Sequence, residues 1–242
     1  MLKRPRAVLF DMGGVLSDSS ESCDADAFAI SFPEGLPWPA PVDWFMGMSG
    51  DCMARFLRIP PPRPAFDCRP VIAEWLRKRE ETPTSEEVAR WLRIMERWEA
   101  RPIYPFVLPT LKTLAAAGIR MGVISNTVTG AGCLREHFKK AGILDYFEYT
   151  VFSAEFGISK PDPAIFRSAL DAMQLDPART WYVGDKPQRD ICGAHGVGMT
   201  ALLVDSKHVG RVADAPENVP DARVSNVSEL PRLIEGLPEN DE

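Results

Sequence analysis

The hydrophobic pattern of the chain starts with a short apolar run that predicts a buried strand. Residues 7–10, Ala-Val-Leu-Phe, carry no charge, and a run of this kind is typical of a strand covered on both faces of a parallel sheet. The run ends at Asp11, and Gly13 and Gly14 follow shortly after it. This ending indicates either a simple turn or the edge of a ligand crevice, because open parallel sheets bind ligands at the carboxyl ends of their strands.

Between residues 17 and 101 the apolar residues recur at helical spacing instead. Periodic segments cover 42–57 and 71–76, and a third helix is predicted to begin at the capping sequence Thr84-Ser85-Glu86-Glu87. Prolines crowd the stretch 33–70, which leaves little room for a sheet strand. We therefore predict a helical cap domain over residues 17–101, placed over the carboxyl ends of the strands.

After residue 101, helix and strand patterns alternate to the end of the chain. The predicted strands are 120–125, 146–153, 181–183 and 200–204, and the predicted helices are 107–117, 134–140, 163–174, 189–196 and 228–235. Strands that alternate with helices indicate a parallel sheet with helices on both faces. The fold class is therefore α/β, with residues 1–16 and 102–242 forming the core.

Composition narrows the class of partners. The 242 residues are 45% hydrophobic, which is enough for a substantial core. A net charge of −6 and a pI near 5.3 give no support to general binding of nucleic acid or anionic membranes, since both attract surfaces rich in Lys and Arg. The segment before the first strand is too short for a signal peptide, and no apolar run reaches membrane-spanning length.

The cysteines favour a reducing compartment. They are odd in number, widely spaced and free of any Cys-x-x-Cys pair: Cys23, Cys52, Cys68, Cys133 and Cys192. This usage is typical of reduced thiols rather than of a disulfide framework or a zinc site. We expect a cytoplasmic protein that is a monomer or a homodimer.

Polar residues at the predicted strand ends form the candidate site. Asp11, Ser125, Lys160 and Asp185 lie at four separate strand ends or in the loops that follow them, and Asp190 comes five residues after Asp185. The carboxyl ends of parallel strands converge on one crevice. Asp11 and Asp185 could share a Mg²⁺ ion, which binds carboxylates and phosphate oxygens together. Lys160 and Ser125 could hold a phosphoryl group while Asp11 attacks it as a nucleophile. Taken singly, the charged residues also have ordinary explanations: Asp11 and Asp185 as turn residues, Lys160 as a surface lysine and Asp190 as a helix-start residue.

The same segments carry a family resemblance. The sequence contains, in order, Phe-Asp-Met-Gly-Gly-Val-Leu, Val-Ile-Ser-Asn-Thr, Ser-Lys-Pro-Asp-Pro-Ala-Ile-Phe and Val-Gly-Asp-Lys-Pro-Gln-Arg-Asp-Ile-Cys-Gly-Ala. These stretches resemble the four motifs of the haloacid dehalogenase-like hydrolase superfamily, in the subfamily I that has a helical (C1) cap. The resemblance covers the first strand and nearly all of residues 107–204. It implies a Rossmann-like, doubly wound parallel sheet with an inserted α-helical cap domain.

The resemblance also implies a role for each matching position. Asp11 would be the nucleophile and a magnesium ligand, together with Asp185 and the backbone carbonyl of Gly13. Asp190 would act on the metal indirectly, either by contacting a metal ligand or through a water molecule. The phosphate would be held by Ser125, Asn126, Lys160 and Gly13.

One position departs from the family pattern. Phosphatases of this family usually carry a second Asp two residues after the nucleophile, which protonates the leaving oxygen, and here that residue is Gly13. A positioned general acid contributes roughly 10²–10⁴-fold in rate, so either Asp18 or a cap residue supplies the proton, or the substrate does not need it. Dehalogenases of the family lack this Asp too, but they typically also lose the acid that corresponds to Asp185.

Three functions therefore stay open on the sequence. The favoured one is a Mg²⁺-dependent phosphohydrolase that acts on a small phosphorylated metabolite through an aspartyl phosphate. The second is a carbon–halogen hydrolase that uses Asp11 on a 2-haloacid without a metal, and the third is a binding or regulatory protein with little catalysis. The substrate is not disclosed, because the aromatic residues of the cap either line its pocket or pack the cap itself: Trp38, Trp44, Phe45, Trp75, Trp91 and Trp98.

Overall fold

The computed structural model describes residues 2–18, 32, 42–60, 66–79, 82–205 and 216–238. The predictions for Cys23 and Trp38 concern residues outside these ranges, as do those for the proline-rich stretches 33–41 and 61–65.

Six parallel strands form a single sheet. They are β1 (Ala7–Phe10), β2 (Arg120–Ser125), β3 (Tyr149–Phe152), β4 (Thr180–Gly184), β5 (Thr200–Val204) and β6 (Ala222–Val224). Their order in the sheet is β3-β2-β1-β4-β5-β6. The chain therefore builds outward from β1 to one side and then from β4 to the other, so the direction of winding reverses between β1 and β4. A ligand crevice is expected at the carboxyl ends of the strands at such a reversal.

Nine α-helices accompany the sheet in the described part of the chain. They are α1 (Val42–Arg58), α2 (Arg69–Arg77), α3 (Ser85–Glu99), α4 (Val107–Ala116), α5 (Ala131–Lys140), α6 (Ser153–Phe156), α7 (Pro163–Ala172), α8 (Cys192–His195) and α9 (Leu230–Glu235). The predicted capping sequence is confirmed, because the Thr84 side chain accepts from the backbone N–H of Glu87 while Glu87 reaches back to the Thr84 N–H. The predicted α/β fold is confirmed as well.

The sheet is buried on both faces, as its sequence predicts. Val8 and Phe10 of β1 belong to an apolar cluster that includes α4, α5 and α9. Leu9 points the other way and packs in a second cluster with Ile165 and Phe166 of α7. Alternate residues of one strand therefore serve two cores. This burial fixes the central strands and the residues that end them.

Helices α1–α3 pack on one another in an apolar cluster of their own, and we call them the helical insert. Trp91 is fully buried, and its ring centroid lies 5.1 Å from that of Trp44 and 6.2 Å from that of Phe45. Trp98 packs edge-on against Phe45 at 5.7 Å. These aromatic rings therefore hold the insert together, which is one of the two explanations offered by the sequence.

Several element boundaries differ from the predicted ones. The predicted strand 146–153 is shorter, because Leu144–Tyr146 forms a 3₁₀ turn before β3 begins. The predicted helix 189–196 opens with a π-helical turn over Pro187–Ile191. Strand β6 was not predicted, because it has only three residues and Arg223 interrupts its apolar pattern. Within the described ranges, none of the helices has the length and apolar content needed to cross a membrane.

Candidate active site

Asp11 ends the central strand at the point where the winding of the sheet reverses. Its backbone N–H donates to the carbonyl of Val183 at 2.8 Å, so the pairing of β1 with β4 continues up to the carboxylate. Its Oδ1 accepts from the Met12 N–H at 2.7 Å and lies 2.9 Å from the Lys160 ammonium. The residue is 5% exposed. One carboxylate oxygen is thus held by two donors, whereas Oδ2 accepts no hydrogen bond from the described residues.

Lys160 contacts acidic residues that follow two different strands, β1 and β4. Its Nζ lies 2.9 Å from Asp11 Oδ1 and 2.7 Å from Asp190 Oδ1, and it donates to the Tyr182 hydroxyl at 2.8 Å. The Tyr182 hydroxyl in turn donates to the carbonyl of Ile124 at 2.9 Å. Because Lys160 is 2% exposed, its charge is available only to groups inside the site.

Asp190 stabilises the loop that follows β4 through hydrogen bonds to its backbone. Its Oδ2 accepts from the backbone N–H groups of Asp185 and Lys186, at 3.1 and 2.9 Å, while Oδ1 faces Lys160. Gly184 makes this arrangement possible, since a Cβ there would lie 2.3 Å from the Asp190 Cβ. Asp190 therefore orients both Asp185 and Lys160.

Asp185 lies against the loop that follows β1. Its Oδ2 is 3.3 Å from the Lys186 ammonium. Gly14 has φ +79°, and a Cβ at that residue would lie 2.3 Å from Asp185 Oδ2. Glycine at this position is thus needed both for the backbone conformation and for the close approach of the carboxylate. The two loops meet through this contact.

The residues expected to hold a phosphate lie on the neighbouring strand. Ser125 ends β2 and is buried. The Asn126 side chain contacts Lys160: its Oδ1 accepts from the Lys160 N–H at 2.8 Å, and its Nδ2 donates to the Lys160 carbonyl at 3.0 Å. Its amide therefore fixes the backbone of Lys160. Gly13 lies in the turn after β1, where it pairs with Ser17.

The buried carboxylates have unequal acidities. Burial raises the pKa of Asp11 against the opposing effect of Lys160. Burial also raises the pKa of Asp185 to about 7, and the charges of Asp11 and Asp190 add to the effect. At Asp190 burial acts in the same direction, but Lys160 and Arg189 outweigh it and leave the pKa below its usual value. Burial therefore disfavours the charged forms of Asp11 and Asp185, whereas nearby cations keep Asp190 ionised.

The donor set fits a magnesium ion. One oxygen from each of Asp11, Asp185 and Asp190 can be chosen so that all three lie within 4.8 Å of one another, and all three residues are buried. Hard divalent cations prefer carboxylate oxygens, and a cation there would offset both the burial and the mutual repulsion that raise the pKa of Asp185. Asp190 already binds protein donors through both oxygens, which suits an indirect role.

Sequence reasoning missed two residues that support this site. Tyr182 lies in a strand buried on both faces. A buried hydroxyl needs a hydrogen-bond partner, and this need was the signal in the sequence that Tyr182 has a specific contact. Glu99 is 5% exposed and accepts backbone N–H groups after β2. The signal for Glu99 was its spacing in the sequence. It follows Met95 by four residues and Trp91 by eight, so a charged residue falls on the apolar face of the helix.

Asp18, a suggested proton donor, lies where the chain leaves the core for the insert. The Tyr104 hydroxyl donates to its Oδ1 at 3.3 Å, and Arg101 donates to its Oδ2 at 3.4 Å. Burial raises the pKa of Tyr104 to about 12, and Asp18 and Asp185 act in the same direction. Ser17, which pairs with Gly13, immediately precedes Asp18. The backbone just before Asp18 therefore passes beside Gly13, while the Asp18 carboxylate is bound by Tyr104 and Arg101.

A doubly wound parallel sheet that gathers carboxylates and a lysine at its winding reversal defines a Rossmann-like α/β protein with a candidate ligand site at that edge. The family model for haloacid dehalogenase-like hydrolases matches residues 5–198. The chain belongs to this family, as its four motifs indicate.

Several curated relatives are named phosphatases. The chain is 36% identical to a phosphoserine phosphatase of Thermus thermophilus over 129 residues, which is 53% of this chain and 50% of that protein. It is 40% identical to a glyceraldehyde 3-phosphate phosphatase of Methanothermobacter thermautotrophicus over 104 residues, covering 43% and 45% of the two chains. The chain thus spans about half the length of the curated relatives it matches.

Among solved structures, similarity extends over the whole chain. A 2-haloacid dehalogenase from Pseudomonas syringae aligns with a TM-score of 0.65 and 27% identity, covering 97% of this chain and 99% of that one. The family therefore offers both phosphatases and a dehalogenase as relatives.

Proposed function

We propose that this protein is a Mg²⁺-dependent phosphohydrolase that acts on a small phosphorylated metabolite in the cytoplasm. The observation that carries the proposal is the buried cluster of Asp11, Asp185 and Asp190, whose carboxylate oxygens come within 4.8 Å of one another. Lys160 lies against two of these acids. The identity to two named phosphatases supports the same reaction class.

Asp11 acts as the nucleophile. Its Oδ1 is held by Met12 and Lys160, which leaves Oδ2 to attack phosphorus. A bond forms between Oδ2 and phosphorus while the bond to the leaving oxygen breaks, giving an aspartyl phosphate. Water then attacks the phosphorus, releases inorganic phosphate and restores the carboxylate. The charge on the transferred group is offset by Lys160.

Asp11, Asp185 and the Gly13 carbonyl would bind Mg²⁺, with Asp190 acting on the site indirectly. When bound, the ion supplies positive charge that offsets the phosphoryl oxygens and the crowded carboxylates. Ser125 and the backbone after it would hold the phosphate on the other side. Asn126 contributes by fixing Lys160.

The glycine at position 13 limits which leaving groups can depart, because it has no proton to give. Alkyl phosphates release an alkoxide that needs a proton, so they should react slowly unless Asp18 or a residue of the insert donates that proton. Substrates with an acidic leaving group should suffer less.

A screen of phosphorylated metabolites and p-nitrophenyl phosphate, with Mg²⁺ and with EDTA, tests the proposal. Turnover should require Mg²⁺, and Asp185→Asn should lower it by about 10²-fold or more because one proposed metal ligand is lost. Asp171→Asn on the exposed face of α7 is the matched control and should leave turnover unchanged. Activity that survives EDTA would contradict the proposal.

A haloacid dehalogenase is the second candidate. The absence of an acid at Gly13 and the full-length similarity to the Pseudomonas syringae enzyme favour it, whereas the buried acid at Asp185 opposes it. Halide release from a 2-haloacid in EDTA would establish this alternative. Phosphate binding without any turnover would instead indicate a binding or regulatory protein.

A further inference from the structure

Glu99, the last residue of α3, connects the helical insert to the core. Its Oε1 accepts from the Val128 N–H at 2.9 Å, and its Oε2 accepts from the Thr129 N–H at 2.9 Å and from the Thr129 hydroxyl. Both residues lie in the loop between β2 and α5, residues 126–130, which we call the β2–α5 loop. One carboxylate thus engages two successive amides of that loop.

The β2–α5 loop directly follows Ser125 and begins with Asn126, which holds the Lys160 backbone through two hydrogen bonds. Lys160 then contacts Asp11. A continuous set of hydrogen bonds and short chain links therefore leads from the end of α3 to the proposed nucleophile.

Val128 contacts the insert in three ways. Its N–H is bound by Glu99, its carbonyl accepts from the Cys68 thiol at 3.0 Å, and its side chain is buried in the apolar cluster of the insert. Cys68 immediately precedes α2 and Glu99 ends α3, so two different segments of the insert contact one residue of the loop. The position of this loop therefore depends on the docked insert.

A buried carboxylate is a costly way to join two elements. Removing it from water is unfavourable unless donors replace the lost hydration, and an apolar residue would pack this interface without that cost. Here the donors that compensate the carboxylate are the backbone groups of the loop itself. The arrangement favours a role in setting the loop conformation over a role in packing alone.

We propose that Glu99 is a positioning residue that fixes the β2–α5 loop in its phosphate-binding conformation while the insert is docked. The link to phosphate rests on the proposed function. The clamp of Glu99 on the loop is independent of it.

The test compares Glu99→Gln with Glu86→Gln. Glu86 is an exposed residue in the first turn of α3, at the other end of the helix from Glu99, so it is a matched control. The amide NH₂ that Glu99→Gln introduces would face either the Val128 or the Thr129 N–H, placing two donors together. The readouts are the inhibition constant of inorganic phosphate, KM and kcat for p-nitrophenyl phosphate, and hydrogen–deuterium exchange of residues 126–130.

Glu99→Gln should raise both the phosphate inhibition constant and KM about tenfold, with a smaller change in kcat. It should also speed exchange in the loop, whereas Glu86→Gln should leave every readout within about twofold of wild type. Thr129→Val removes only the hydroxyl contact and should give an intermediate effect, which keeps the test available if Glu99→Gln does not fold. Faster exchange with an unchanged inhibition constant would overturn the positioning role, and unchanged exchange would overturn the clamp.

The proposed function can fail separately. Wild-type protein that neither hydrolyses p-nitrophenyl phosphate nor binds inorganic phosphate would refute the phosphohydrolase, and the exchange measurement would still decide whether Glu99 holds the loop.

Discussion

The carboxyl edge of the sheet and the interior of the helical insert are both closed to solvent, but they are filled by opposite means. At the sheet edge, Asp11, Lys160 and Asp190 are held by ion pairs and directed hydrogen bonds. In the insert, Trp91 and its neighbours meet as tilted and edge-on rings.

The difference predicts how each region tolerates change. Ring packing depends on volume, so a smaller aromatic residue keeps most of the contacts. A buried ionic cluster depends on the identity of every partner, because removing one leaves another charge without compensation. The two regions should therefore respond differently to conservative substitutions.

The largest effect is expected at the sheet edge, from Asp11→Asn. The side chain keeps its shape, but an amide cannot attack phosphorus, so turnover should fall by about 10⁴-fold or more. The rate with p-nitrophenyl phosphate and Mg²⁺ measures this, with Asp171→Asn as the control. Near-normal activity in Asp11→Asn would refute the assigned nucleophile.

The insert should show the complementary response. Trp91→Ala removes a fully buried ring and should cost about 3–5 kcal/mol in the free energy of unfolding. Trp91→Phe should cost clearly less, since a ring remains against Trp44 and Phe45. Urea unfolding of both variants measures the difference. Equal losses would mean that the insert is as specific as the site.

Glu99 lies where the two regions meet and should make stability depend on pH. Burial raises its pKa from 4.5 to about 7, so the folded protein retains a proton that the unfolded chain has released. The contribution is fully present below pH 4.5 and is lost as pH rises through about 7, with a limit of about 3 kcal/mol. Unfolding of wild type and Glu99→Gln between pH 4.5 and 8 checks this. A difference that does not fall with rising pH would contradict it.

The smallest effect concerns the proton that the site lacks. Gly13→Asp should raise the rate on alkyl phosphates about tenfold more than on aryl phosphates, because only the former need help to leave. The ratio of kcat/KM for the two substrate types measures this. An unchanged ratio would show that the missing acid is not what limits the enzyme.

The sequence predicted the elements whose signals are local. The apolar run before Asp11, the capping residues at Thr84 and the alternation after residue 101 each correspond to an observed strand, cap or helix. The positions of Asp11, Lys160, Asp185 and Asp190 at strand ends also indicated that they would lie together, although their roles remain predictions.

Contacts across long chain separations could not be predicted in the same way. Tyr182 supports Lys160 because β4 happens to present its hydroxyl beside Ile124 of β2, and no pattern within β4 specifies that neighbour. Glu99 meets Val128 only once the insert has docked on the core. The Asn126 side chain could be matched to a phosphate, but its partner is the backbone of Lys160, which depends on how two loops approach each other.

The sharing of Lys160 between two acids has a consequence for a complete turnover. In the proposed mechanism Asp11 becomes an acyl phosphate, so its carboxyl group no longer carries the charge that attracts the ammonium. Asp190, whose Oδ1 lies 2.7 Å from the Lys160 ammonium, would keep its own charge and retain the lysine. The lysine would then stay beside the transferred group from the first bond change to the last, and the enzyme would not have to rebuild its site between the two halves of the reaction.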